Sequence, residues 1–288
     1  MRPPTLSALP ALIATILAGC VIVVPGDRHA ADGATLEGDG NVVAETRAVD
    51  GAPALELAGR RQVDLDVAVQ VGAAPALSLE GDANVLAHLH TETRGGTLRI
   101  WSDRDVHATQ PVRVRYTVPR LERLETAGSA GTHVSGLAGG TLHVVQRGSG
   151  RIELRGHVDR LEAVNSGSGR LVADALDAGS ARVALNGSGR VSVGGVHGDA
   201  LQAQLYGSGT LTARGEVRQA DVTVYGSGDA ELAGLHAASA DLATTGSGDI
   251  AIAVTGRVTT HTNGAGSITI YGDPLERSVA GKGTAFVR

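Results

Sequence analysis

The side chains best suited to bind a ligand recur beside a repeated Gly-Ser-Gly motif. Three positions past the first glycine of successive copies lie Arg151, Arg170 and Arg190, and two further copies are directly preceded by Tyr206 and Tyr225. Guanidinium groups bind acidic groups bidentately, and tyrosine rings offer amphipathic faces for stacking. These five residues predict a polar strip that binds an extended carbohydrate, with the tyrosines as stacking platforms. The alternative interpretation is a solvated face that keeps the protein soluble.

The charge of this strip changes sign along the chain. Asp229 and Asp249 occupy in later copies the position that arginine occupies in the earlier ones. If the copies stack in register, the strip is positive at one end and negative at the other. A long acidic glycan would then prefer the arginine end.

The sequence offers no clear pattern for catalysis or for a cofactor. It contains no serine nucleophile elbow, no P-loop and no dinucleotide fingerprint. Arg190, Asp229 and Glu231 could imitate the charged strip of polysaccharide-cleaving β-helices, so a carbohydrate-active enzyme is kept as an alternative. His88 and His90 share one strand face and could supply two metal ligands, but no third ligand is evident nearby, which favours ordinary surface histidines. We therefore predict no catalytic residue, no metal site and no cofactor.

The N-terminus carries the pattern of an export signal with a lipid attachment site. Arg2 precedes a mostly apolar stretch over residues 5–19, too short for a comfortable transmembrane helix, which ends in Leu17-Ala18-Gly19 before Cys20. This ending resembles the bacterial lipobox, in which the cysteine is lipidated and becomes the first residue of the mature chain. We therefore predict a lipoprotein signal peptide over residues 1–19 and a lipidated Cys20 with a tether over residues 20–34. The alternative is cleavage at Ala18-Gly19, with Cys20 a bystander.

The cysteine content and the net charge narrow the location and the partners. Cys20 is the only cysteine, so an exported domain of this chain has no disulfide and relies on packing and backbone hydrogen bonds. Val21 follows it, where an aspartate retains some lipoproteins at the inner membrane. We therefore expect an outer-membrane lipoprotein of the cell envelope, on its periplasmic or its surface face. A formal net charge of −5 gives no reason to expect nucleic acid as a partner.

The Gly-Ser-Gly motif recurs at a nearly constant interval and predicts a repeat architecture. Apolar and polar residues alternate around each copy, as in Leu201, Ala203 and Leu205 against the intervening residues, which is typical of half-buried strands. About 20 residues per copy therefore hold two short strands that meet at the motif, plus a return turn such as Gly194-Gly195. Full copies begin at Gly148, Gly167, Gly187, Gly207, Gly226 and Gly246, and weaker ones at Gly128 and Gly264.

Stacking of these copies predicts an all-β, parallel β-solenoid over residues 128–288. Residues 35–127 lack the motif but still alternate like strands, for example from Val63 to Val71. We place a subdivision near Ala127, between an N-terminal β part and the repeat part of one continuous β-structure. Three polar residues fall at an otherwise apolar position beside the motif, and the pattern leaves open whether they point inward: Gln146, Asn165 and Thr244.

Four sequence features together resemble a family of bacterial exported proteins, the autotransporter adhesins with a head GIN domain. They are the segments 79–86 (Leu-Glu-Gly-Asp-Ala-Asn-Val-Leu), 95–100 (Gly-Gly-Thr-Leu-Arg-Ile) and 118–121 (Val-Pro-Arg-Leu), and the Gly-Ser-Gly series that closes at Gly246-Ser247-Gly248-Asp249-Ile250. The resemblance extends from about Leu55 to Tyr271. It implies an all-β, solenoid-like fold on a cell surface or in the periplasm, and it carries over no catalytic residue.

These observations favour a non-enzymatic, lipid-anchored envelope protein that presents a β-solenoid surface for adhesion or for binding a glycan or a protein. Its expected partners are the membrane, through the N-terminal lipid, and an envelope glycan or protein. Two alternatives remain at this point: a carbohydrate-active enzyme on a β-helix and a purely structural envelope protein.

Overall fold

The computed structural model of the protein describes residues 35–58 and 63–288. The predicted signal peptide, Cys20 and the tether lie outside the described residues. Strands make up 74% of the structure and helix 2%, which confirms the all-β prediction. Within the described ranges the only helix is the single turn α1 (Ala83–Leu86), and no helix there is long and apolar enough to cross a membrane.

The first nine strands build the N-terminal end of the solenoid. β7 and β9 form one turn, and β3 and β4 stack on them in parallel as the next turn. Antiparallel strands cover this end, because β5 pairs with β2 and β9, and β6 pairs with β7. The bounds are β1 (Leu36–Glu37), β2 (Val42–Arg47), β3 (Ala54–Ala58), β4 (Leu65–Val71), β5 (Ala76–Asp82), β6 (Leu89–Arg94), β7 (Thr97–Ser102), β8 (Val106–His107) and β9 (Val112–Val118).

The order of the first turns in space differs from their order in the chain. β3 pairs on its second edge with β10 (Arg123–Gly128), and β4 pairs with β11 (Gly131–Ala138). Leu55 therefore lies between Leu98 and Leu124, both of which follow it in sequence. The turn made of β3 and β4 is thus an inner layer, although it comes first in the chain.

The repeat part continues this stack with one turn per motif copy. From β13 to β18 each turn is a long bent strand that pairs in parallel with the next, and the first glycine of each motif faces the first glycine of the following one. This confirms the predicted parallel β-solenoid, which has about eight turns. The strands are β12 (Thr141–Gly148), β13 (Arg151–Gly167), β14 (Arg170–Gly187), β15 (Arg190–Gly207), β16 (Thr210–Gly226), β17 (Asp229–Gly246), β18 (Ile250–Gly264), β19 (Ile268–Tyr271), β20 (Glu276–Ala280) and β21 (Thr284–Val287).

The inward side chains form columns that run the length of the stack. Because partners in neighbouring strands lie directly over one another, one apolar residue per turn contributes to each column. A turn cannot bury its apolar side alone, so each turn depends on its neighbours for stability. One such column, exposed by at most 1%, is Ile152, Leu171, Val191, Leu211, Ala230, Ile250 and Ile268.

The Gly-Ser-Gly motif forms a sharp corner that only glycine can occupy. Gly207 has a φ of +117°, and a Cβ added there would lie 2.6 Å from the carbonyl oxygen of Gly187 in the preceding turn. Residues with a side chain rarely adopt this φ, and the close approach of the two backbones leaves no room for a Cβ atom. The corner separates two surfaces of the solenoid. We call the segments that follow the motif the arginine face and the segments that precede it the tyrosine face.

The polar residues whose orientation the sequence left open point into the solenoid and brace this corner. Gln146, Asn165 and Thr244 are at most 1% exposed. Each donates a side-chain hydrogen bond to the carbonyl oxygen of the last glycine of its own motif, over 2.5, 2.9 and 2.8 Å. In the middle turns the same column is apolar, with Leu185, Leu205 and Val224.

Candidate functional site

The three arginines of the predicted strip stand in one column on the arginine face. Arg151 pairs directly with Arg170 across β13 and β14, and Arg170 pairs with Arg190 across β14 and β15. Thr210 and Asp229 continue the column in the next two turns. All three arginines are exposed and point away from the core, because their neighbours in sequence, such as Val191, point inward.

A shallow groove of about 310 Å³ runs over this part of the arginine face. Arg151, Arg170 and Arg190 line it at the start of β13, β14 and β15, and Asp174 on β14 and Arg214 on β16 line it further along the strand direction. Its floor includes the neighbouring outward column, in which Val172 pairs with Ser192 and Ser192 with Thr212. The groove therefore gathers four guanidinium groups and one carboxylate on a single surface.

The four arginines of the groove differ in how their charge is balanced. Arg151 donates from Nε to Oε1 of Glu153 over 2.7 Å, and this hydrogen bond, with a further one from His133, holds the pKa of the Glu153 carboxyl below its usual value. By contrast, no carboxylate of the described residues lies within ion-pair distance of Arg170, Arg190 or Arg214. The groove thus carries three positive charges without an acidic partner.

The acidic end of the column is engaged in hydrogen bonds with the turns above it. The Asp229 carboxylate accepts the backbone N–H of Asp249 at 3.1 Å. The Asp249 carboxylate in turn accepts the backbone N–H of Ser267 at 2.7 Å and its hydroxyl at 2.8 Å. These two carboxylates hold the corners of neighbouring turns together, so they serve the stack as well as facing solvent.

Tyr206 and Tyr225 form a stacked pair on the other side of the corner. Their rings lie 5.1 Å apart between centroids with an interplanar angle of 8°, and the two residues are 45% and 44% exposed. They immediately precede the motif and so belong to the tyrosine face, and neither lines the arginine groove. The structure therefore divides the predicted strip into two surfaces, an arginine groove and a tyrosine platform.

The residues that complete the groove are ones that the sequence analysis did not single out. Arg214 and Asp174 each stand four positions past the strip position of their own turn, Thr210 and Arg170. Both therefore reach the same end of the arginine face. An alignment of the repeats on their glycines, read at every outward position instead of only beside the motif, would have brought them together.

The histidine pair is engaged by an aspartate and does not resemble a metal centre. Asp103 lies between His88 and His90, 2.9 Å from Nδ1 of the first and 3.0 Å from Nε2 of the second. The hydrogen bond with His90 is the largest influence holding the pKa of the Asp103 carboxyl below its usual value, and His88 adds to it. In the described part of the chain, no three His, Cys, Asp or Glu side chains are grouped so that they could hold a metal ion.

The charged residues considered for carbohydrate cleavage are spread over several turns. Arg190 and Asp229 stand two turns apart in the column, with Thr210 between them, and Glu231 lies in the next outward column beside Thr212. At the strand spacing of about 4.8 Å, two turns separate the backbones of Arg190 and Asp229 by roughly 10 Å.

A protein family and several solved structures are similar to this chain in sequence and in fold. The profile of a family described as "Putative auto-transporter adhesin, head GIN domain" matches residues 61–175 and 170–274. No curated protein sequence matches the chain. Solved structures share the fold over 88% of this chain, among them the following two. A "putative lipid binding protein" from Parabacteroides distasonis ATCC 8503 has a TM-score of 0.66 and 24% identity, with 100% of its own chain covered. A "putative adhesin" from Parabacteroides merdae ATCC 43184 has a TM-score of 0.67 and 20% identity, with 99% covered.

Proposed function

The chain belongs to the family described as "Putative auto-transporter adhesin, head GIN domain", and on that premise we propose that it is a non-enzymatic adhesion protein of the cell envelope. In this proposal Cys20 carries the lipid that holds the protein in the outer membrane. The solenoid presents its outward columns to a glycan or protein partner, on the periplasmic or the surface face of that membrane.

The single observation that supports adhesion best is the register of the outward columns. Equivalent side chains of successive turns are direct cross-strand partners, so like side chains can line up along the solenoid axis, as Arg170 does with Arg190 and Tyr206 with Tyr225. A surface of this kind suits a long partner that makes the same contact several times. The unpaired Arg170, Arg190 and Arg214 and the stacked Tyr206 and Tyr225 are the residues on which such contacts would concentrate.

The lipid anchor rests on the sequence around Cys20 alone. Acyl chains stabilise membrane attachment by roughly 0.8 kcal/mol per buried CH₂ group, so more than one chain is needed for stable anchoring. A lipoprotein cysteine that carries several chains meets that requirement.

The name of the P. merdae structure agrees with adhesion, while its low identity to this chain limits the likeness to the fold.

The proposal is tested with full-length protein isolated from bacterial membranes and incorporated into liposomes. We expect mass spectrometry to find acyl groups on the wild-type N-terminal cysteine, and we expect Cys20→Ser protein to stay out of the liposome fraction. Wild-type proteoliposomes should be retained on immobilised envelope glycans or envelope proteins, while protein-free liposomes pass through.

Two results would contradict separate parts of the proposal. Wild-type protein without an acyl group would remove the lipid anchor. Proteoliposomes that bind no glycan and no envelope protein would remove the adhesion function and leave a purely structural role for the solenoid.

A further inference from the structure

The groove brings together three of the few described arginines that have no carboxylate within ion-pair distance. Most described arginines have a carboxylate within ion-pair distance, as Arg113 has Glu80 at 2.9 Å and Arg147 has Glu125 at 2.9 Å. Arg170, Arg190 and Arg214 line one groove without such a partner. An acidic ligand would supply the missing counter-charge.

The arrangement of these arginines also opposes the stability of the empty face. Arg170 and Arg190 are direct partners in neighbouring parallel strands, whose spacing is about 4.8 Å. Like charges that stand directly opposite each other on a sheet destabilise it. A negatively charged group bound between two guanidinium groups would replace this repulsion by two charge-assisted hydrogen bonds.

We infer that this arginine groove is the binding site of an acidic polysaccharide. The inference rests on the proposed adhesion function and names its ligand class. Arg170 and Arg190 would each take a carboxylate or sulfate group of the chain, and Arg214 would take a third. The hydroxyl of Ser192, which also lines the groove, would form a hydrogen bond with a hydroxyl of the sugar backbone.

The shape of the groove favours a chain over a single ion and over a membrane. Arg170 and Arg190 stand in one column along the solenoid axis, and Arg214 lies in the next turn, four positions further along its strand than the column, so the three charges follow an oblique path across β14 to β16. None of the large exposed apolar side chains of the described residues lines it, whereas a surface that enters a lipid interface needs such side chains. A long polysaccharide with several acidic groups can reach guanidinium groups that are spread over three turns, which a single small ion cannot do.

Asp174 places a negative charge in the groove, and this charge opposes the binding of an acidic ligand. Its side chain is exposed and lines the groove together with Arg170 and Arg214. A carboxylate in this position repels a polyanion, so its removal should strengthen binding while removal of the arginines weakens it. A site of this composition therefore predicts opposite effects from two neighbouring substitutions.

The test measures binding of the full-length chain in non-ionic detergent to alginate, a polyuronate, and to dextran sulfate, with neutral dextran as the comparison. We expect both polyanions to bind, neutral dextran not to bind, and affinity to fall as salt rises. The triple variant R170Q/R190Q/R214Q should lose at least about tenfold in affinity, since it removes three charge-assisted contacts. D174N should gain roughly twofold or more, since it removes one repulsive charge.

A matched control separates the site from net charge. Arg94, Arg104 and Arg182 also lack a carboxylate partner among the described residues but line no part of the groove. R94Q/R104Q/R182Q therefore loses the same three charges and should bind alginate like the wild type. All variants should keep the wild-type β-sheet circular dichroism spectrum, because exposed charges contribute little to stability.

Several outcomes would overturn the inference. They are equal affinity of the groove variant and the wild type, equal losses in the groove variant and its control, and saturable binding to phosphatidylglycerol vesicles without binding to either polyanion. If the groove variant in liposomes still adheres to envelope surfaces while no polyanion binds, the polysaccharide inference fails and the proposed adhesion function stands.

Discussion

Replacement of Gly207 by alanine tests the corner on which the stack depends. Gly207 faces Gly187 below and Gly226 above, so the column of first glycines brings three backbones together at this point. The added Cβ would lie 2.6 Å from the Gly187 carbonyl oxygen, and the residue would keep a φ of +117°. Both features act against any L side chain, and neither can relax without separating two turns.

The expected loss of folding stability is the sum of a conformational penalty and a steric penalty. A non-glycine residue in such a sparsely populated conformation costs on the order of 1–3 kcal/mol. Overpacking against a neighbour that cannot move adds about 1–3 kcal/mol. We therefore expect G207A to lower the free energy of unfolding by about 2–6 kcal/mol. S208A should change it by less than about 0.5 kcal/mol, because Ser208 is exposed.

A second glycine separates conformational strain from steric overlap. Gly140 has a φ of +77°, and a Cβ added there would meet no atom within 4 Å. G140A should therefore cost only about 1–2 kcal/mol, the penalty of a left-handed conformation. Urea unfolding followed by far-ultraviolet circular dichroism measures all three variants. A G207A loss no larger than that of G140A would refute the close approach of backbones, and equal losses in G207A and S208A would refute the corner itself.

Three further substitutions, at two positions, test the buried polar groups. Asn165 donates to the Gly169 carbonyl oxygen, but its own Oδ1 has no partner among the described residues. Because Leu185 already occupies this column, N165L should be neutral or stabilise the protein by about 1 kcal/mol in urea melts. N165D should destabilise it strongly, because it would bury a charge. Burial raises the pKa of Tyr116 to about 12, and its hydroxyl donates a hydrogen bond to the Ala52 carbonyl oxygen at 2.8 Å. The folded state therefore disfavours the phenolate. The neutral Tyr116 contributes its full share to folding stability below about pH 10, the usual pKa, and this share is lost as the pH rises towards about 12. Y116F should be less stable at neutral pH by about 1 kcal/mol but lose less stability across that alkaline window, and an identical alkaline loss in both proteins would contradict the assignment.

Much of the repeat part could be predicted from the sequence because each turn carries its own Gly-Ser-Gly motif and its own alternation of apolar and polar residues. The glycine spacing and the alternation around Leu205 depend only on local chemistry, so they predict the strands, the corner and the column of arginines. The resemblance to the head GIN domain family, which the family match confirms, adds the solenoid architecture. The predicted lipidation of Cys20 and the subdivision near Ala127 stay predictions.

Other features depend on contacts that no local pattern encodes. The direction of Asn165 is set by a carbonyl oxygen that becomes accessible only when the corner forms. The separation of Tyr206 from Arg190 depends on the direction in which that corner turns the chain. Arg214 joins the groove through the register between β15 and β16, which one turn alone cannot reveal.

The inner position of β3 and β4 has a consequence for the order of folding. In the repeat part a strand meets its partner after a single turn, as Gly187 meets Gly207, so the contact order there is low and the turns can add one after another. Leu55 must instead wait for Leu98 on one side and Leu124 on the other. Closing a loop more than three times longer costs about 1 kcal/mol of additional entropy. β3 and β4 leave the ribosome early but are expected to acquire both neighbours only after β10 and β11 have followed, and until then they present unpaired edges to chaperones, to proteases and to one another.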